Sequence, residues 1–187
     1  VVPTTELISK LGPRMVAKTP ERTKAEIEAD TILAKRIVAR VAEALEFQQK
    51  FLSPGINNFI ENAGGLAKII YWLTQMSFYV VNCASKALYN ILVGLGIKTS
   101  LEDLAVEMIL SDFAAGIIKA GQTPILYTSF YSLHKVPYTR GIDLKLYNVT
   151  IKELASIKIP VIAEVGGNDA VVITKVQDGI VYMLKSD

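Results

Sequence analysis

The chain has 187 residues, 51% apolar and 20% charged, with 12 Gly and 7 Pro, which excludes a disordered, collagenous or disulfide-stapled molecule. Its 20 basic against 18 acidic side chains leave a net charge of +2, without the basic excess of a nucleic-acid binder. One Cys and one His exclude an intrachain disulfide and any site built on several imidazoles, so neither a metal nor a cofactor is expected.

Residues 1–18 carry Pro3, Gly12 and Pro13 and are expected to be irregular. They show no basic start followed by an apolar core, so no signal peptide is expected. Lys10, Arg14, Lys18, Arg22 and Lys24 make this arm positive, a weak pointer to nucleic acid or acidic lipid that Glu6, Glu21 and Glu26 dilute. Thr19-Pro20-Glu21 reads as a helix start, with a capping hydroxyl, a first-turn Pro and an acid at the positive end of the dipole. From there to about Lys50 no Gly or Pro occurs, and Leu33, Ile37, Val41 and Leu45 recur every four residues, with Ile27 extending the stripe. The spacing predicts one long amphipathic helix, ~45 Å at ~1.5 Å per residue. It either packs along its own domain or reaches a protein partner or a second copy of the chain. Glu26, Glu28 and Asp30 alternate along it, fall on different faces, and read as solvation rather than a metal site.

Ser53-Pro54-Gly55 and Gly64-Gly65 are expected breaks around a short helix, Ile56–Asn62. A helix is predicted from Leu66 to about Val80. The uncharged run between Lys68 and Lys86 is 17 residues long and contains Thr74, Gln75, Ser77, Asn82 and Ser85. A spanning helix needs ~20 mostly apolar residues, so this run reads as buried core rather than membrane, although the mean hydropathy of +0.34 is high. Asn82 looks like a cap for a helix over Cys83–Leu92 that ends at Gly94 and Gly96. Thr99 or Ser100 caps Leu101–Met108, with Glu102 and Asp103 in its first turn. Residues 112–120 look helical and stop at Gly121. Tyr127–Tyr138 is ambiguous, with Ser129 as a candidate cap, and its Tyr127, Phe130, Tyr131 and Tyr138 either form an aromatic surface or, as is rather expected, pack in a core. Leu144–Tyr147 reads as a short strand and Ile151–Ala155 as a short helix. Strands Pro160–Val165, Ala170–Val176 and Ile180–Leu184 follow, joined by turns at Gly166-Gly167-Asn168-Asp169 and Gln177-Asp178-Gly179. Helices first and an antiparallel sheet last is the α+β pattern. Residues 1–65 are expected to form an arm with its long helix, and 66–187 the α+β domain. Neither Gly64-Gly65 nor Gly166-Gly167 has the flanks of a phosphate loop.

Cys83 stands at a predicted helix start behind a polar cap, where backbone N–H groups and the dipole favour thiolate. The run Asn82-Cys83-Ala84-Ser85-Lys86-Ala87-Leu88, then Leu95-Gly96-Ile97 and Ser100-Leu101-Glu102-Asp103-Leu104, opens a longer correspondence. Thr128-Ser129-Phe130-Tyr131-Ser132-Leu133, Arg140-Gly141-Ile142, Ile151-Lys152-Glu153-Leu154, Ile159-Pro160-Val161-Ile162-Ala163 and Gly167-Asn168-Asp169-Ala170-Val171-Val172-Ile173 continue it, and the hairpin Val176–Leu184 closes it. In order and spacing these segments resemble the papain-like bacteriocin-processing (double-glycine leader) cysteine peptidases, over roughly residues 75–187 with an insertion near 109–125.

The resemblance implies a papain-like α+β domain with Cys83 as nucleophile, and it also shows what the chain has lost. The family's His falls on Asp169, and a carboxylate with a pKa near 4 is a poor base for a thiol and raises the thiol pKa by its charge. The family's following acid falls near Lys185. Its oxyanion Gln has Ser77 at the matching spacing, with Gln75 two residues off, and its Gly after the Cys is Ala84. Asn168 can orient a group but cannot act as a base. The resemblance therefore implies a degenerate peptidase-like domain with a binding role for Asn82, Ser77, Gln75 and Asn168, working in recognition or assembly, as a coat or scaffold homo-oligomer for example. The alternatives are an active cysteine hydrolase using Cys83 with His134, the single imidazole, and a membrane-associated subunit.

Overall fold

The computed structural model describes residues 23–50, 54–75, 83–121, 128–145, 147–157, 160–165 and 169–184. Among them the architecture is α+β, with seven helices and one three-stranded antiparallel sheet. The expected helix start at Thr19-Pro20-Glu21, the basic arm before Lys24, and Ser77, Asn82, Tyr127 and Asn168 lie outside the described residues. Two compact units are built from interleaved stretches of chain. One takes residues 24–81 and 100–144, the other 1–23, 82–99 and 145–187.

The first unit is helical. The long helix α1 (Lys24–Lys50) has no Gly or Pro to interrupt it, and Ile37, Val41 and Leu45 of its stripe are buried. Ile27 does not extend that stripe. It is 52% exposed, and the packed cluster of this unit takes α1 residues from Leu33 onward. Helix α2 (Pro54–Asn62) starts on Pro54, whose missing N–H costs nothing in a first turn, and buries Ile56, Phe59 and Ile60. Gly55 lies inside this helix and is not a break. Helix α3 (Leu66–Gln75) buries Ile69 and Leu73, and the remainder of the predicted stretch to Val80 is outside the described residues.

Helix α5 (Leu101–Ala114) is the centre of this unit and packs against α1, α2 and α6 (Phe130–Tyr138). Ser100 caps it by accepting the Asp103 N–H at 3.0 Å. It runs well past the expected end at Met108, and no separate helix occupies 112–120. The chain stops being helical at Ala114. The Ile117 N–H reaches back to the Asp112 carbonyl and Gly116 N–H to that of Phe113, with Gly116 at φ 68°. That hydrogen-bond pair is a Schellman closure, for which a glycine is favoured. The helix is buried on several sides, at Leu104, Ala105, Val106, Met108, Ile109, Asp112 and Phe113, so it has no simple stripe for periodicity to follow.

On the outer face of α5 the Arg40 guanidinium of α1 spans Glu102 at 3.1 Å and Asp103 at 2.7 Å. The Asp103 carboxyl is held below its ordinary range, first by its hydrogen bond with Ser100 and then by Arg40. Arg140, just beyond α6, grips Glu107 with two bonds of 2.8 and 2.6 Å. These pairs are half exposed and orient the helices more than they stabilise them.

Gly55 shows how closely α2 and α5 approach. A Cβ at that position would lie 2.5 Å from the Ala114 carbonyl oxygen. Gly55→Ala gains about 1 kcal/mol in helix propensity but must push two backbones apart. A net loss of about 1–2 kcal/mol is expected in denaturant unfolding followed by Trp72 fluorescence. Unchanged or increased stability would show that the helices separate freely.

The second unit sets helix α4 (Cys83–Gly94) against the sheet β1 (Val161–Val165), β2 (Asp169–Gln177) and β3 (Ile180–Leu184), in the order β1-β2-β3. Ala84, Ala87 and Ile91 of α4 meet Ile162, Ala170 and Val172 on one sheet face. The other face buries Ala163, Ile173 and Val181 with Leu154 of the one-turn helix α7 (Ile151–Leu154). Thr150 and Glu153 form a reciprocal capping box around α7. Asp178-Gly179 make a two-residue turn with φ 52° and 74°, the primed geometry whose twist suits a hairpin. A bulge between Ile173 and Lys175 shifts the β2–β3 register. The expected strand at Leu144–Tyr147 is not formed: Leu144, Lys145 and Tyr147 are irregular, and Leu146 lies outside the described residues. An alternating pattern over so few residues makes no strand without a neighbour to pair with.

Candidate functional site

Cys83 is the first residue of α4, and Asp169 is the first residue of β2. The next residue along each element, Ala84 and Ala170, belongs to the same packed cluster. The helix that Cys83 opens and the strand that Asp169 opens therefore pack against each other within one unit. This is a consequence of small residues at 84, 87 and 170, which let the helix settle on the strand. Ser85 in the first turn is fully buried, while Lys86 on the next position is half-buried.

The other proposed site residues are either outside the described residues or part of the other compact unit. Gln75 ends α3, is exposed, and belongs to the other compact unit. Ser77, Asn82 and Asn168 are outside the described residues. His134 sits on the exposed side of α6, also in the other unit, and its Nδ1 lies 2.7 Å from the Leu144 carbonyl oxygen. A carbonyl only accepts, so Nδ1 carries the proton and donates, leaving Nε2 as the basic nitrogen. The ring lies 6.0 Å from that of Tyr138.

The aromatic residues around it are not core. Phe130, Tyr131 and Tyr138 are all exposed on α6, whose buried side is made by Ser132, Leu133, Val136 and Pro137. Of the two expectations for these rings, surface and core, Phe130, Tyr131 and Tyr138 fit the surface, although burial of aromatic area is favourable. The smaller side chains fill the interior instead.

A second constellation was not foreseen. Asp112 is fully buried on α5. One carboxylate oxygen accepts the Ser129 hydroxyl. The other accepts the Ser129 N–H at 2.8 Å and lies 3.0 Å from the Ser132 hydroxyl. Ser129 in turn caps α6 by accepting the Ser132 N–H at 3.2 Å. Burial pushes the Asp112 carboxyl above its ordinary value, against the pull of the hydrogen bonds from Ser129 and Ser132. Among the described residues no imidazole or amine shares these hydrogen bonds, so nothing described activates the serines as nucleophiles. The cluster is a polar clasp joining α5 to the start of α6. The sequence gives no clear hint of it, since Leu104–Phe113 contains two acids, Glu107 and Asp112, and only the second is buried.

Between α2 and the end of α5 lies an open cavity of about 500 Å³, bordered by Asn58, Phe59, Asn62, Phe113 and Lys119. Among the described residues its lining holds amides and one amine but no carboxylate, thiol or imidazole. Among the described residues no three His, Cys, Asp or Glu side chains converge on a metal position. None of the described helices is long and apolar enough to cross a membrane. No family model, curated protein or solved structure matches this chain.

Proposed function

We propose that this chain is a degenerate papain-like domain, similar to the double-glycine leader peptidases, that acts by binding or assembly rather than by cleaving peptide bonds. One observation carries the reading. The single Cys opens a helix that packs across an antiparallel sheet, and the residue opening the adjoining strand, where that family has its His, is Asp169. A carboxylate in the place of that His disfavours thiolate by its charge and supplies no useful base at neutral pH. The long helix supports the assembly side of the proposal, since Ile27 and Ile32 are each more than half exposed near its beginning.

The test is the pH dependence of Cys83 alkylation on the native chain, read by intact mass. The expected midpoint is at or above the free-thiol value of ~8.5. In Asp169→His the midpoint is expected to fall by about one unit or more, because an imidazolium stabilises the thiolate that a carboxylate repels. A native midpoint well below 8.5 in the parent chain, with turnover lost in Cys83→Ala, would establish the hydrolase reading and send the search for a base to His134.

A further inference from the structure

We infer that Asp112, Ser129 and Ser132 form a proton-operated latch on the first turn of α6, tight while the carboxyl carries a proton and loosened when that proton leaves. This stands apart from the peptidase-like reading, because it rests only on the buried contact between α5 and α6.

The Ser132 hydroxyl has one proton and two acceptors in reach. Asp112 Oδ2 lies 3.0 Å away and the Ser129 carbonyl oxygen 2.9 Å. Which of them it serves depends on the carboxyl. With Asp112 protonated on Oδ2, that O–H donates to Ser132 Oγ, and the Ser132 hydroxyl donates onward to the Ser129 carbonyl. The Ser129 hydroxyl still donates to Oδ1 and the Ser129 N–H to Oδ2. The Ser129 carbonyl also accepts the Leu133 N–H at 3.0 Å, and its two lone pairs serve both donors. These groups are then all paired without any charge. With Asp112 ionised, the Ser132 hydroxyl turns from the Ser129 carbonyl to the carboxylate, and a negative charge is left in a fully buried site.

Among the described residues no cation meets that charge. On α1, Arg36 and Arg40 are bound to Glu102 and Asp103 at the opposite end of α5, and Glu43 and Glu46 are exposed. On α2 the charged residue is Glu61, which is exposed, as is Lys68 on α3. On α6, His134 and Lys135 are exposed, and Arg140 just beyond it is bound to Glu107. Lys119, past the end of α5, is exposed. Between Gly121 and Thr128 the sequence has no Asp, Glu, Lys, Arg or His, and Tyr127 is its titratable residue.

Burial favours the acid and the hydrogen bonds from Ser129 and Ser132 favour the anion. Burial prevails, so the folded carboxyl is raised above its ordinary 3.8. Opening the first turn of α6 returns Asp112 to water and to that ordinary value. The latch is therefore tightest below about pH 3.8, weakens as pH rises through the raised folded value, and weakens no further above it. The turn it holds carries Phe130 and Tyr131, both exposed, so proton loss frees the end of α6 that presents those two rings.

Two measurements on the full chain test this. Carboxyl carbon-13 shifts, with Asp112 assigned through its own backbone, are expected to titrate above 3.8, while Asp103, held low by Ser100 and Arg40, titrates below it. Amide exchange, divided by the rates of unfolded peptide, is expected to show the opening constants of Ser129, Ser132 and Leu133 rising about threefold or more between about pH 3.5 and pH 7. In Asp112→Asn, which has no proton to lose, that rise is expected to vanish. Both measurements on the parent chain decide the matter if the variant fails to fold. An Asp112 midpoint at or below 3.8, or exchange in this turn that stays flat or slows as pH rises, would overturn the inference. So would the same rise in Asp112→Asn.

Discussion

Phe113→Ala is expected to lose about 4 kcal/mol of stability, the largest effect of any single truncation in the helical unit. Phe113 is fully buried on the central helix α5, stacked on Phe59 with ring centres 4.2 Å apart and planes 11° from parallel. The Trp72 ring is tilted against it at 6.2 Å. The apolar cluster around it draws on α1, α2, α3 and α5, including Ile37, Leu45, Ile60, Ile69 and Ile109. Truncation therefore leaves a cavity bounded by rigid helices that cannot all close in, so the transfer loss and the cavity cost add. The stacked pair contributes a further ~1 kcal/mol beyond buried area. Urea unfolding read through Trp72, the single tryptophan, reports this directly. A double-mutant cycle with Phe59→Leu is expected to show positive coupling, and purely additive losses would mean the stacking carries no energy of its own.

The second large effect is expected at the polar clasp. Asp112→Ala leaves the Ser129 N–H and two serine hydroxyls facing a void, with an expected loss of about 3 kcal/mol. Asp112→Asn is expected to be far milder, since it keeps one acceptor for the Ser129 N–H and turns the Ser129 hydroxyl from donor to acceptor. Its sign depends on pH. The folded-state carboxyl is raised above its model value of 3.8 by burial, so the native state holds the proton more tightly than the unfolded chain. Stability from this group is therefore fully present below about pH 3.8 and is lost as pH rises through the raised folded value. The asparagine has no such loss. Its disadvantage relative to the parent is expected to shrink, or reverse, between pH 4 and pH 7 in paired urea titrations. A gap that widens with pH would show that the hydrogen bonds outweigh burial and that the carboxylate is the favoured form. The comparison is made between the two chains because Asp103, held low by Ser100 and Arg40, acts in the opposite direction in both.

The clasp also bears on the helix that runs past its expected end at Met108, because an acid at 112 fits a helix interior only when its partners are supplied. Its partners, Ser129 and Ser132, lie about five helical turns further along the chain and on another helix. With those bonds made, the acid is a satisfied interior residue and α5 continues to Ala114. The candidate site was legible in a similar, partial way. The helix start at Cys83 and the strand start near Asp169 follow from local signals. Their placement in one unit depends on Ala84, Ala87 and Ala170 being small enough for close packing, and only the fold shows that.

What the sequence determined by itself is the set of locally encoded elements. These are the long helix carrying Ile37, Val41 and Leu45, the caps at Ser100 and Ser129, the Thr150–Glu153 box, and the hairpin turned by Asp178-Gly179. Each rests on interactions within a few residues, where spacing and side-chain chemistry suffice. The tertiary structure alone decided which faces are covered. Ile27, Tyr131 and Tyr138 have the chemistry of core residues and are exposed, while Asp112 and Ser132 have the chemistry of surface residues and are buried. Burial is a property of what packs against a side chain, and those neighbours come from distant stretches of the chain that no local pattern records.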